Sequence, residues 1–149
     1  MADAAAARGW RVTLLLGPTS LTPSDSRVEV VRFRTTTDLE GLLTHHFAFA
    51  DMLVMAAAVA DYRPKLLTDR PDAAQGKLKR SEGGLTLELE PTPDLLAACS
   101  KLRRPGQTIV GFALEPRERL LESAAAKIAR KGLDLIVANP LETMDAPTI

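Results

Sequence analysis

Residues 52–55 form an apolar run with no polar alternation, close to the middle of the chain. A strand covered on both faces of a parallel sheet needs such a run. Three alanines follow it, Ala56, Ala57 and Ala58, and then Val59, Ala60 and the charged Asp61. Side chains that small let another group approach the backbone, and ligands of open α/β sheets sit beyond the carboxyl ends of the strands. The stretch therefore reads as the floor of a site. The competing reading has the alanines packed under a helix and Asp61 capping a turn.

The pattern on either side predicts alternating helices and strands. Residues 2–8 read as a short helix stopped by Gly9, and residues 10–16 as a strand ended by Gly17-Pro18. Residues 21–27 carry turn residues, and residues 28–33 alternate apolar with charged positions, as a strand nearer the sheet edge does. Thr37 with Glu40 has the spacing of a capping box for a helix through Leu39, Leu42, Leu43 and Phe47. Residues 65–75 read as a surface excursion, and residues 76–81 and 85–90 as two arms of a β-hairpin around Glu82-Gly83-Gly84. Thr92 as N-cap and Pro93 as first helical residue open a helix to about Leu102. Residues 108–114 are a strand, Pro116 starts an amphipathic helix to Lys131 with Gly132 as cap, and residues 133–137 form a last strand broken at Ala138-Asn139-Pro140. Strands alternating with helices predict an α/β fold, a Rossmann-like three-layer sandwich with a mostly parallel sheet and an inserted β-hairpin.

Composition narrows the class. The chain has 149 residues, 46% of them apolar, and a formal net charge of zero, which fits one packed domain and argues against disorder and against nucleic-acid binding. One cysteine, Cys99, excludes an internal disulfide and suits a reducing, cytoplasmic setting. No apolar run approaches the ~20 residues of a membrane span.

Metal-ligand spacing of Cys and His is absent: His45 and His46 are adjacent on a helix and cannot face one partner. Cys99 has no obvious base beside it, and no Gly-x-Gly-x-x-Gly or P-loop spacing occurs, which disfavours an NAD(P)-binding module. Positive groups are better placed. Lys77 and Lys79 share a face of the first hairpin arm beside Arg80, although edge lysines also serve to block aggregation. Lys127 and Lys131 lie one turn apart, where lysines also meet the helix dipole. Phe112 follows Gly111 near a strand end, suited to core packing or to stacking under a base, and Asn139 is an ordinary turn residue by itself. The helix start from Pro93 to Leu96 offers backbone N–H groups to an anion unless Asp94 already uses them.

Five segments in series carry a resemblance: Ala-Ala-Val-Ala-Asp-Tyr-Arg-Pro from Ala57, Lys-Leu-Lys-Arg from Lys77, Thr-Pro-Asp-Leu-Leu from Thr92, Val-Gly-Phe-Ala-Leu-Glu from Val110, and Lys-x-x-x-Lys-Gly-x-Asp-x-Ile-Val-Ala-Asn from Lys127. In this order they resemble phosphopantothenate–cysteine ligase of coenzyme A biosynthesis, a domain often fused to a flavin-dependent decarboxylase. The resemblance implies that 4′-phosphopantothenate and L-cysteine are joined through an acyl-nucleotide made from CTP or ATP, with Mg²⁺. It implies that Asp61 contacts the nucleotide or its metal, with no dedicated metal ligands assigned, and that Lys77 is the catalytic cation. Pro93, Asp94, Leu95 and Leu96 would present backbone to the nucleotide, Phe112 would lie against it, and Lys127 and Lys131 would complete the pocket. Ala57 and Ala58 would give close approach, and Asn139, counted with Lys77 among the catalytic residues, would fix a loop or ligand. The alternating Leu85, Leu87 and Leu89 lead us to expect a homodimer formed through the hairpin of residues 76–90.

Members of that family begin with a strand and a Gly-rich, phosphate-gripping loop, which the resemblance places before Ala2, and continue past residue 149. The expectation is thus a ligase domain trimmed at both ends, which alone binds nucleotide weakly and does not turn over. The competing expectation is a catalytically incomplete module that keeps the fold and dimerises or binds nucleotide weakly.

Overall fold

The computed structural model describes residues 1–65 and 86–143. They form the helices α1 (Ala2–Ala7), α2 (Thr36–Phe47), α3 (Leu95–Leu102) and α4 (Leu120–Lys131). The strands are β1 (Val12–Leu16), β2 (Val28–Arg32), β3 (Met52–Val54), β4 (Tyr62–Pro64), β5 (Leu89–Pro91), β6 (Thr108–Glu115) and β7 (Leu135–Pro140). The chain divides into two compact units, Met1–Ala57 with Asp94–Ile149, and Ala58–Pro93. No described helix is long and apolar enough to cross a membrane.

In the first unit β1 pairs in parallel with β2, and β6 lies between β3 and β7, parallel to both. The predicted α/β, Rossmann-like arrangement with a mostly parallel sheet is what the structure has. Between the parallel neighbours β6 and β7 the chain returns through α4, whereas residues 17–27 join β1 to β2 without a helix. Ile109 of β6 is fully buried, and Leu39, Leu43 and Phe47 of α2, Leu95 and Cys99 of α3 and Ala124 of α4 are among the core residues around it. Burial pushes the Cys99 thiol pKa up, as expected of an inert core cysteine.

Polar groups close the joints. Gln107, the buried polar residue of the core, donates from Nε2 to the carbonyls of Phe47 (2.6 Å) and Ala50 (2.7 Å) and accepts from the Arg104 N–H (2.6 Å). It thereby satisfies carbonyls left over at the end of α2. Asp134 starts the β6–β7 ladder, accepting from Ile109 N–H at 2.7 Å and from the Arg103 guanidinium at 2.7 Å. The Ile109 N–H, ahead of Arg103, holds the Asp134 carboxyl below its ordinary range. Asp3 accepts from the backbone N–H of Ser24 and Asp25, tying the loop after β1 to the first helix.

Several boundaries differ from the sequence expectation. The capping box of α2 is Thr35 with Asp38, not Thr37 with Glu40: the Thr35 hydroxyl accepts from Asp38 N–H at 3.1 Å and the Asp38 carboxylate from Thr35 N–H at 2.9 Å. Three successive threonines made the register ambiguous, and the earlier one lets Asp38 take the Arg34 N–H as well. The N-cap of α3 is Asp94 rather than Thr92, whose hydroxyl donates instead to the Ala60 carbonyl. A 3₁₀ turn, Arg117–Arg119, precedes α4. The last strand runs on through Asn139 to Pro140, which an edge strand tolerates because a missing N–H there costs no ladder bond. Met52 and Val54 are 37% and 44% exposed, so the central apolar run is not covered on both faces by the described residues.

The second unit contains β4 and β5, antiparallel, with Tyr62 level with Pro91 and Pro64 with Leu89. The second arm of the predicted hairpin thus ends in a strand paired with Tyr62–Pro64; the first arm, residues 76–81, lies outside the described residues. Arg63–Glu90 and Lys65–Glu88 ion pairs lie on this ribbon, whereas Leu87 and Leu89 are exposed.

Gly132 ends α4 in the left-handed region, φ 64° and ψ 43°, and a Cβ there would strike the Ser100 hydroxyl, which donates to the Gly132 carbonyl. Gly132→Ala should therefore cost about 1–2 kcal/mol from backbone conformation alone, read as a lowered urea midpoint; an unchanged midpoint would show that this cap is not under constraint.

Candidate functional site at the carboxyl ends of the strands

β6 and β7 finish together, Leu114 level with Asn139 and Glu115 with Pro140. Successive side chains of a strand point to opposite faces. Val110, Phe112 and Leu114 therefore share one face of β6, and Gly111, Ala113 and Glu115 the other. Helices cover the second face: a Cβ on Gly111 would come within 2.8 Å of Leu133 and 3.4 Å of Leu96 of α3. Small residues at positions 111 and 113 let these helices close down on β6, and this brings α4 over Glu115.

Glu115 accepts a hydrogen bond from Lys127 Nζ at 2.5 Å, with side chains 24% and 28% exposed. The Lys127 ammonium, then the Ser123 hydroxyl, hold the Glu115 carboxyl below its ordinary range. One turn further along α4, Lys131 Nζ lies 3.1 Å from Asp94 Oδ2. The other oxygen of Asp94 caps α3, accepting from Ala97 N–H at 3.2 Å. Lys127 and Lys131 are thus each joined to a carboxylate. A lysine has three donors and an ion pair fills one, so both ammonium groups keep hydrogen-bonding capacity.

The remaining sequence-predicted residues distribute as follows. Phe112 is half-buried on the opposite face of β6 from Glu115 and Lys127, and Asn139, exposed, shares that face through its register with Leu114. The structure thus groups Asp94 and Leu96 with Lys127 and Lys131, and Phe112 with Asn139. Leu95 is buried in the core, and the Leu96 side chain packs toward Gly111. Ala57 belongs to the first unit, Ala58, Asp61 and Pro93 to the second. Ala57 and Ala58 are exposed rather than packed under a helix. The Asp61 carbonyl accepts from Thr92 N–H at 2.9 Å, and its side chain is open to solvent. Lys77 lies outside the described residues. Among the described residues no three His, Cys, Asp or Glu side chains cluster as metal ligands.

Sequence reasoning passed over Glu115 as a partner for Lys127. The signal was present: Glu115 continues the period-two series of Gly111 and Ala113, and that series faces the helix carrying Lys127.

Residues 1–148 match the family described as DNA/pantothenate metabolism flavoprotein C-terminal domain. The chain belongs to this family. It is 39% identical over 142 residues to a cysteine/cysteine sulfinic acid decarboxylase from an unknown prokaryotic organism, covering 95% of the chain and 38% of the relative. It is 35% identical over 146 residues to the coenzyme A biosynthesis bifunctional protein CoaBC of Bacillus subtilis (strain 168), covering 98% of the chain and 34% of that protein. The crystal structure of a C-terminal domain of CoaBC superposes with a TM-score of 0.74 at 31% identity, over 93% of the chain and 60% of that domain. The chain spans little more than a third of the length of these curated relatives.

The Glu115–Lys127 pair generates a pH prediction. A carboxyl whose folded pKa is depressed adds stability that is fully present above its unfolded value and is lost as pH falls through the folded one. The melting-temperature gap between the wild type and Glu115→Gln should therefore be largest near neutrality. It should close as pH falls below about 4; a gap that stays constant to pH 3 would detach the pair from stability.

Proposed function

We propose that the chain is the nucleotide-using ligase module of coenzyme A biosynthesis, joining 4′-phosphopantothenate to L-cysteine. The carrying observation is the match over residues 1–148, supported by likeness at 31% identity to a C-terminal domain of CoaBC. In the proposed reaction a carboxylate oxygen of 4′-phosphopantothenate attacks the α-phosphorus of CTP or ATP, and pyrophosphate leaves. The cysteine amine then attacks the acyl carbon, and the nucleoside monophosphate departs with the bonding pair. A free carboxylate is a poor acyl donor, so the chemistry depends on stabilising charge at phosphorus and at the acyl oxygen.

Lys77 is assigned to that charge, and Lys127, Lys131 and the backbone of Pro93–Leu96 to holding the nucleotide. Phe112 lies against the nucleotide, Ala57 and Ala58 leave room for it, and Asn139 fixes a loop or ligand. A single open carboxylate such as Asp61 suits a Mg²⁺ that arrives on substrate phosphates, since Mg²⁺ keeps several waters and takes few protein ligands. Mg²⁺ bound there supplies neutralising charge. The setting proposed is cytoplasmic, with a separate or fused flavin-dependent decarboxylase as neighbour in the pathway.

One observation favours a second reading, a module that keeps the fold without ligase turnover: the relative at 39% identity is named a decarboxylase. Pyrophosphate release separates the two. In the full-length protein it should require both nucleotide and 4′-phosphopantothenate. Lys77→Gln should slow it on the order of 100-fold while weakening nucleotide binding far less. Nucleotide binding with no pyrophosphate release from the full-length protein would favour the second reading.

The dimer belongs to the same proposal. Leu87 and Leu89 are 54% and 57% exposed, and covering each side chain contributes roughly 1.5–3 kcal/mol. A second copy covering the ribbon would hide them. Light scattering of Leu87→Lys should show monomer or aggregate, and an unchanged dimer would refute the arrangement.

A further inference from the structure

The two lysines assigned to the nucleotide are not free positive charges. Lys127 Nζ is 2.5 Å from Glu115 Oε1 and Lys131 Nζ is 3.1 Å from Asp94 Oδ2, so each pair is formally neutral. The carboxylates are also fixed independently of the lysines. The Glu115 carboxylate also accepts from the Ser123 hydroxyl, and Asp94 is tied by its other oxygen to the Ala97 N–H. Each carboxylate therefore keeps a second donor when its ammonium swings away.

A phosphate offers only acceptors and carries negative charge. To reach Lys127 or Lys131 it would have to come close to two anchored carboxylates, and like charges at such range repel. A neutral pair suits a different chemistry. Its ammonium donates and its carboxylate accepts, so it matches a group that does both. Ribose hydroxyls and the donor–acceptor edge of a nucleobase are of that kind, and a phosphate is not.

We infer that the Lys127–Glu115 and Lys131–Asp94 pairs engage the neutral hydrogen-bonding groups of the nucleoside and leave its phosphates to other residues. This rests on the proposed function and deepens it. It assigns Glu115 as a specificity-determining residue beside Lys127, and it makes the helix α4 a reader of the nucleoside rather than a neutraliser of charge.

The test is calorimetric titration of wild type, Lys127→Gln, Lys131→Gln and Glu115→Gln with CMP, CDP, CTP and 2′,3′-dideoxy-CTP, and with the adenosine series. Melting temperatures of the variants are taken alongside, and Glu115→Asp is included to show whether a shorter carboxylate restores binding. The expected result is a loss of about five-fold for each substitution, equal for mono-, di- and triphosphate and insensitive to salt. Adding Glu115→Gln to Lys127→Gln should cost little more, because the pair acts as one unit. If the loss shrinks with the dideoxy nucleotide the pairs read ribose; if it is unchanged they read the base, and either supports the inference.

A loss that grows with the number of phosphates and fades with added salt would overturn it while leaving the proposed function standing. Tighter triphosphate binding by Glu115→Gln would also overturn it, since the carboxylate would then only be opposing the phosphates. Absence of any nucleotide binding by the wild type would remove the proposed function and this inference together.

Discussion

β6 is the constraint on which the first unit depends. It pairs with β3 over Thr108–Val110 and with β7 over Val110–Glu115, and its two faces are set by strand alternation alone. One face must admit Leu96 and Leu133 at Gly111, which leaves no room for a side chain without movement. The position of α3, α4 and the Glu115–Lys127 pair follows from that approach. A larger residue at 111 would have to displace the ends of the Leu133 and Leu96 side chains.

The joints around β6 are polar and local. Gln107 closes the end of α2 against the turn before β6, and Asp134 fastens the start of β7 to Ile109. Both sit at the amino end of β6. The opposite, carboxyl end carries the Glu115–Lys127 pair, partly exposed and with donors to spare. Stability devices and candidate binding groups are thus separated along one strand, in keeping with the rule that parallel sheets bind at their carboxyl ends.

Ion pairs near a surface contribute little to stability as a rule. Their consequence at this end is chemical. A lysine bound to a fixed carboxylate differs from a free lysine in net charge, in reach and in the groups it can meet. Lys127 and Lys131 look alike in sequence to any pair of exposed lysines in a last helical turn. Their assignment depends on Glu115 and Asp94, which lie 12 residues and 37 residues away along the chain.

The order of helices and strands, the parallel sheet and the left-handed stop at Gly132 were legible from residue pattern, because periodicity and glycine placement are local properties. So was the family, through five segments in a fixed order. Local pattern did not choose between Thr35 and Thr37 as the cap, since both are threonines with an acid three residues on; the additional bond from Arg34 decided it. Nor did it choose Asp94 over Thr92, whose hydroxyl found the Ala60 carbonyl instead. The side chains Glu115 and Lys127 were visible in the sequence, but their meeting was not. Pairing across a strand–helix packing depends on which face of β6 each residue takes and on how closely Gly111 lets the helices approach, and only the tertiary structure decides that.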